Sequence, residues 1–334
     1  MNICILGAGA WGTAMAIHLN KGGHSVSLVP RRLKHAMEIA QTRKNQDYLP
    51  DVELPLSIQI GYEVGPAIME SDMILLACPS KGLKALLPEI KKHAKTSLRL
   101  KMILTLCKGL DPDTLQFPVE ICHDFFGDTY LSGCFSGPTN ALEVANSKPA
   151  AAVIAAKCPQ DEILPFQKAL HSDSLRVYWS EDVAGIELGA CLKNVYAIAA
   201  GISDGLGLGD NARAALITRA VSEMVRFGSA IGGQVESFYG LGGLGDLIAT
   251  CGGNWSRNKQ FGFRIAKGEQ AMEIVEKQKT IIEGFRSTDS FYRMAQQKNL
   301  DLPILSAVFS VLYEGLNPEL GLQSLMKRGV KKEI

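Results

Sequence analysis

A chain of 334 residues with 46% hydrophobic content can bury a large core and is long enough for about two domains. Lys and Arg (35) balance Asp and Glu (34), so no net basic field exists to neutralise a phosphodiester backbone, and nucleic acid is not an expected partner. The eight cysteines (Cys4, Cys78, Cys107, Cys122, Cys134, Cys158, Cys191, Cys251) include no C-x-x-C pair, and the six histidines all fall at or before His171 with no H-E-x-x-H, so neither a disulfide framework nor a metal site is expected. Scattered thiols suit a reducing compartment. The apolar N-terminus lacks the basic flank of a secretory signal, and no apolar run reaches the ~18 residues of a membrane span, so a cytoplasmic protein with no span is expected.

In chain order, short β-rich runs predict strands at Asn2–Leu6, His24–Val29, Asp72–Cys78, Lys101–Cys107, Gly133–Ser136, Ala151–Ala156 and Leu175–Trp179. Helical or irregular stretches separate them, and such alternation implies a mostly parallel sheet covered on both faces. After Ser180 the β-rich runs stop and Ala-, Leu-, Ile- and Gly-rich helical spacing takes over, with Ser180-Glu181-Asp182 as a helix start. The expectation is an α/β chain: a Rossmann-like, doubly wound dinucleotide-binding domain over residues 1–180 and an all-helical substrate and catalytic domain over 181–334.

The first strand runs straight into Gly7-Ala8-Gly9-Ala10-Trp11-Gly12 and a helix ending near Gly22-Gly23. In that setting Gly7 permits the tight turn, Gly9 lets backbone amides approach a pyrophosphate, and Gly12 allows close helix–strand packing. Where an NAD-selective fold carries an acid at the end of its second strand, this chain reads Val29-Pro30-Arg31-Arg32; two guanidinium groups suit a 2′-phosphate and favour NADP(H), with NAD(H) as the alternative. Segments following later strands include Cys78-Pro79-Ser80, Lys108-Gly109 and Ser136-Gly137-Pro138-Thr139-Asn140. Spacing alone fits Lys108 equally to a ligand and to a solvated lysine.

In the second half, Gly185, Gly189, Lys193 and Ala197 recur every fourth residue on a helix expected from Ser180 to about Ala200, which puts one ammonium on a face of small residues. Close approach of a backbone or ligand there would desolvate Lys193, as a general acid/base requires. Gly240-Leu241-Gly242-Gly243-Leu244-Gly245 then leads into a helix at Asp246, which fits both an N-cap and a carboxylate orienting the lysine or a substrate hydroxyl. Ser256-Arg257-Asn258 offers a hydroxyl, a guanidinium and an amide to a phosphate, as an ordinary polar turn would too.

These stretches resemble the bacterial NAD(P)-dependent glycerol-3-phosphate dehydrogenases over nearly the whole chain: GAGAWGTA at 7–14, NQDYLPD at 45–51, CKGL at 107–110, FSGPTNA at 135–141, the lysine block at 187–219, GLGGLGDLIATC at 240–251, SRN at 256–258 and IEG at 282–284. The resemblance implies that Lys193 is the proton acceptor in alcohol oxidation, and that Lys108, Gly137, Thr139, Asp246, Ser256, Arg257 and Asn258 surround glycerol 3-phosphate. It also implies that Ala10, Trp11, Arg31, Arg32, Tyr48, Lys108, Ala141, Arg257, Ile281 and Glu283 contact the cofactor. Ala10 stands where the family often has Ser, which leaves only the backbone amide as a donor in that turn. The implied partner is a small phosphate substrate, the implied product feeds glycerophospholipid synthesis, and a homodimer is compatible with the sequence.

Overall fold

The chain opens with β1 (Asn2–Leu6), and the computed structural model, which describes residues 1–277, 282–330 and 332–333, adds β2 (Ser25–Val29), β3 (Lys44–Asn45), β4 (Leu49–Glu53), β5 (Gln59–Ile60), β6 (Met73–Leu76), β7 (Met102–Thr105), β8 (Leu131–Ser136), β9 (Ala150–Ala156) and β10 (Leu175–Ser180). Eight strands form one sheet in the order β10-β9-β8-β7-β6-β1-β2-β5, parallel except for β8 against β9, while β3 and β4 pair separately. The seven strands expected from apolar runs are all present. β3, β4 and β5 were not expected, because two are only two residues long and Leu49–Glu53 buries just Leu49 and Val52, leaving no apolar run to read.

Central strands are buried on both faces, which is why β6 and β7 read as unbroken MILL and MILT. Their period of two divides the core: Ile3, Ile5, Met73, Leu75, Met102 and Leu104 face one layer, and Cys4, Leu6, Ile74, Leu76 and Ile103 face the other. The edge strand β10 instead alternates, with Arg176 and Tyr178 exposed between buried Leu175 and Val177. Strand order reverses between β1 and β6, and in such sheets ligands sit beyond the carboxyl ends at that switch point.

The Cα positions separate into two units, residues 1–108 with 116–187 and residues 109–115 with 188–334. The division falls later than the change of composition at Ser180. Glu187, in the second turn of the helix Val183–Gly205, still accepts a hydrogen bond from the Val119 amide at 3.1 Å within the first unit. Residues 109–115 go with the second unit, where Arg293 donates to the Pro112 carbonyl at 2.7 Å. Ser180 does not cap the helix as the sequence suggested. The β9–β10 ladder holds it extended opposite Ala155, and Asp182 takes the capping role by accepting from the Gly185 amide at 2.9 Å. This helix is long and apolar enough to cross a membrane, but 83% of its apolar stretch is buried inside the protein.

In the second unit no strand occurs among the described residues, and helices follow at Gly209–Ala230, Val235–Tyr239, Asp246–Gly252, Arg257–Ala266, Ala271–Lys277, Glu283–Gln297, Pro303–Tyr313 and Pro318–Met326. Buried Glu223 accepts from the Ile304 and Leu305 amides at 2.6 and 3.2 Å and from the Tyr196 hydroxyl at 3.2 Å, satisfying the uncapped start of Pro303–Tyr313. Burial outweighs those donors and pushes its carboxyl up to about 7. The folded state therefore holds this proton more tightly than the unfolded chain, so the contribution is complete below about 4.5 and lost as pH rises through about 7. Urea denaturation should show wild type losing roughly 3 kcal/mol between about pH 5 and pH 8 relative to Glu223→Gln. Parallel pH dependence in the two proteins would refute this assignment.

Candidate functional site

In the first unit the glycines after β1 do two different jobs. Gly7 has φ 118°, and a Cβ there would lie 2.5 Å from the Ala77 carbonyl oxygen at the end of β6. A Cβ on Gly12 would run into the Gly7 carbonyl and lie 2.9 Å from the Ala77 Cβ, so both residues are glycine because of packing at the switch point. Gly9 is the exception: nothing lies within 4 Å of its Cβ position. Open space therefore stands before the N-terminus of the helix Ala10–Lys21, which has no side-chain cap and no acid in its first turn. Uncapped amides with the positive end of the helix dipole behind them fit a pyrophosphate. Trp11, packed near-parallel to Phe135 with centroids 6.4 Å apart, has a buried indole Nε1 with no hydrogen-bond partner among the described residues.

The turn is held from beneath by a residue that composition and spacing did not single out. Fully buried Asn45 donates from Nδ2 to the Ala8 carbonyl at 2.9 Å and to Thr13 Oγ1 at 2.7 Å, while its Oδ1 lies 2.9 Å from His35 Nε2. Tyr48 packs on His35 with ring centroids 5.6 Å apart. Arg31 and Arg32 are both exposed just past β2. Arg32 pairs with Asp47 at 3.3 Å, and this exposed ion pair is worth little, so a dianionic group can displace it.

Because β1, β6, β7 and β8 are parallel, Gly7, Cys78, half-buried Lys108 and Gly137 all leave the sheet at its carboxyl edge. Gly137 has φ 154° and lies against β9, where a Cβ would stand 2.8 Å from the Ala151 carbonyl oxygen. Thr139 donates to the Gly137 carbonyl at 3.1 Å, and Ala141 starts the short helix Ala141–Ala145, capped by Asn140.

In the second unit Lys193 and Asp246 form a buried ion pair, their side chains 5% and 1% exposed. The close approach expected on the small-residue face is made by backbone: a Cβ on Gly189 would strike the Gly242 carbonyl, which brings the glycine-rich turn Leu241–Gly245 onto the helix one turn before Lys193. That turn is π-helical, and Asp246 follows it as the first residue of Asp246–Gly252 without capping the helix. Its carboxylate points to Lys193 instead, with Thr250 Oγ1 at 3.4 Å from Oδ1. Of the two roles open for Asp246 in the sequence, the geometry has the ion pair. Nearby Cys251 is buried, and its thiol is pushed up to about 12 by desolvation despite the Lys193 and Lys259 charges.

Ser256 caps Arg257–Ala266, its Oγ accepting from the Lys259 amide at 3.3 Å, which leaves its hydroxyl proton available. Arg257 is exposed at the first position of that helix. Asn258 is committed to structure on both sides: Nδ2 donates to Asn194 Oδ1 at 2.8 Å, and Oδ1 accepts from the Gly284 amide at 3.0 Å. Gly284 must be glycine here, since a Cβ would lie 2.7 Å from the Asn194 carbonyl oxygen. Beside it, burial raises the Glu283 carboxyl above its usual range against the opposing pull of Arg286 and Arg257. Ile281 lies outside the described residues. Lys259 also went unpredicted; it reaches Asp204 at 3.0 Å and the Gly252 carbonyl at 3.2 Å, tying the loop before Ser256 to the helix that carries Lys193. Its position next to SRN was the one available hint.

The same two-part organisation recurs in known proteins. Residues 2–162 match the N-terminal region of NAD-dependent glycerol-3-phosphate dehydrogenase, and residues 182–323 match the C-terminal region. A glycerol-3-phosphate dehydrogenase (NAD(P)+) from Nitrosomonas eutropha is 42% identical over 330 residues, covering 98% of each chain. One from a Thermoanaerobacter species is 38% identical over 335 residues, covering 100% of this chain and 99% of its own. The crystal structure of glycerol-3-phosphate dehydrogenase from Coxiella burnetii superposes with a TM-score of 0.91 at 35% identity, covering 98% of both chains. With the glycine turn, the Lys193–Asp246 pair and full-length similarity in agreement, this chain belongs to the NAD-dependent glycerol-3-phosphate dehydrogenase family.

Proposed function

We propose that this protein interconverts dihydroxyacetone phosphate and sn-glycerol 3-phosphate with NADPH, or NADH as the alternative, and that its product feeds glycerophospholipid synthesis in the cytoplasm. The buried Lys193–Asp246 pair in a chain of this family carries the reading. The reduced nicotinamide supplies hydride. Lys193 gives a proton to the emerging alkoxide oxygen and takes it back in alcohol oxidation, and Asp246 fixes the ammonium in place. Ser256 and Arg257 bind the substrate phosphate, and Lys108, Gly137 and Thr139 complete the substrate set. Asn258 acts by tying the Asn194 side chain to the Gly284 backbone.

Gly7, Gly9, Ala10, Trp11 and Gly12 receive the dinucleotide, with Tyr48, Ala141 and Glu283 as further contacts. Arg31, which has no ion-pair partner among the described residues, meets the 2′-phosphate, and Arg32 joins it on leaving Asp47. Arg31→Ala should therefore weaken NADPH binding about ten-fold or more with little effect on NADH, since a charge-assisted contact is worth ~1.5–3 kcal/mol. Equal loss for both cofactors in fluorescence titrations would contradict this. Asn45→Ala removes the support beneath the turn and should weaken both cofactors alike, by about 1–3 kcal/mol. A folded Asn45→Ala protein with unchanged affinities would contradict that role. The activity itself is tested by adding dihydroxyacetone phosphate to protein and NADPH: nicotinamide absorbance should fall, and a flat trace would end the proposal.

A further inference from the structure

At the carboxyl edge of the sheet, beside the dinucleotide turn, two thiols lie face to face. β6 pairs with β7 so that Leu76 stands opposite Thr105, and the same offset places Cys78 opposite Cys107. Their sulfurs are 3.8 Å apart, and the Cys107 thiol donates to the Cys78 carbonyl at 3.0 Å. Neighbouring residues on adjacent strands sit about 5 Å apart, within the Cα range that disulfides span. Cys78 is half-buried and Cys107 is buried behind it, an arrangement of one accessible and one resolving sulfur.

We propose that Cys78 and Cys107 are a redox-active dithiol whose oxidation by a peroxide to a disulfide antagonises dinucleotide binding. Cys78 attacks the peroxide, breaking its O–O bond, becoming a sulfenic acid and releasing water. Cys107 then displaces the sulfenic oxygen as a second water and forms the S–S bond. Two thiols lose two electrons and two protons, and the peroxide accepts both. The sulfurs must close by about 1.8 Å to bond. The backbone between them and the cofactor turn has no slack: the Cβ position of Gly7 is 2.5 Å from the Ala77 carbonyl oxygen and 3.2 Å from the Cys78 amide nitrogen. Cys107 also immediately precedes Lys108. Elsewhere, burial pushes the thiols of Cys4, Cys122, Cys158 and Cys251 up, which disfavours the reactive thiolate at those four positions.

The coupling to cofactor rests on the dinucleotide reading above; the disulfide does not. Full-length protein treated with hydrogen peroxide should lose the mass of two hydrogens, yield a peptide cross-linking Cys78 to Cys107, and recover with dithiothreitol. Cys107→Ser should give no cross-link and gain oxygen at Cys78 instead. Calorimetric titration with NADP+ should show about ten-fold weaker binding to the oxidised form, and by linkage saturating NADP+ should slow the oxidation. Absence of the cross-link, or a different cysteine pair in it, overturns the dithiol. A cross-linked protein with undiminished NADP+ affinity overturns the coupling. A cross-link in a chain whose reduced form binds no NADP+ upholds the dithiol and overturns the dinucleotide reading.

Discussion

Lys193→Met should reduce turnover by at least ~10²–10⁴ while leaving NADPH affinity near wild type, because it deletes the titrating group and keeps the length and apolar stem of the side chain. Ketone reduction needs a proton at the oxygen as hydride reaches the carbon, and the second unit has no histidine to provide one. Lys193 is 5% exposed and paired with Asp246, so its charge is held in a fixed place. Removing it strands a buried carboxylate, a change that costs about 3–5 kcal/mol of stability in comparable pairs. The double variant Lys193→Met with Asp246→Asn relieves that charge and should recover stability but not turnover. Wild-type turnover in either protein would assign the proton transfer to another residue, with Lys108 the first to test.

Arg257→Leu should raise KM for dihydroxyacetone phosphate by about 30-fold or more, corresponding to the ~2–5 kcal/mol lost when one partner of a charge-assisted pair is removed. The guanidinium stands at the first position of a helix, where the positive end of the dipole adds to its charge. Its influence reaches Glu283, whose carboxyl it opposes in being raised, so a smaller effect on NADPH should accompany the substrate effect. Unphosphorylated dihydroxyacetone serves as the control, because its poor turnover should be unchanged by the substitution. Steady-state kinetics with unaltered saturation by dihydroxyacetone phosphate would place the phosphate elsewhere.

The sheet was legible because buried parallel strands write themselves as unbroken apolar runs, and MILL and MILT admit little else. Gly7 and Gly12 were legible because backbone crowding at a switch point leaves only one residue type. The same logic found the small face around Lys193 but not what fills it, since Gly242 lies over fifty residues along the chain from Gly189 and nothing local links them. Asn45, Asp47 and Lys259 were missed for a common reason. Each acts through partners distant in sequence (Ala8 and Thr13, Arg32, and Asp204), and a lone polar residue carries no period. Ser180 misled because Ser-Glu-Asp satisfies the capping pattern at two positions, and only the ladder with β9 decides between them.

Reduction of dihydroxyacetone phosphate through Lys193 is checked by following cofactor and product together. Wild-type protein incubated with NADPH and dihydroxyacetone phosphate should consume one NADPH for each sn-glycerol 3-phosphate formed, while Lys193→Met, binding NADPH normally, forms almost none. Cofactor consumption without glycerol 3-phosphate, or equal product from both proteins, would show that the reduction does not run through Lys193.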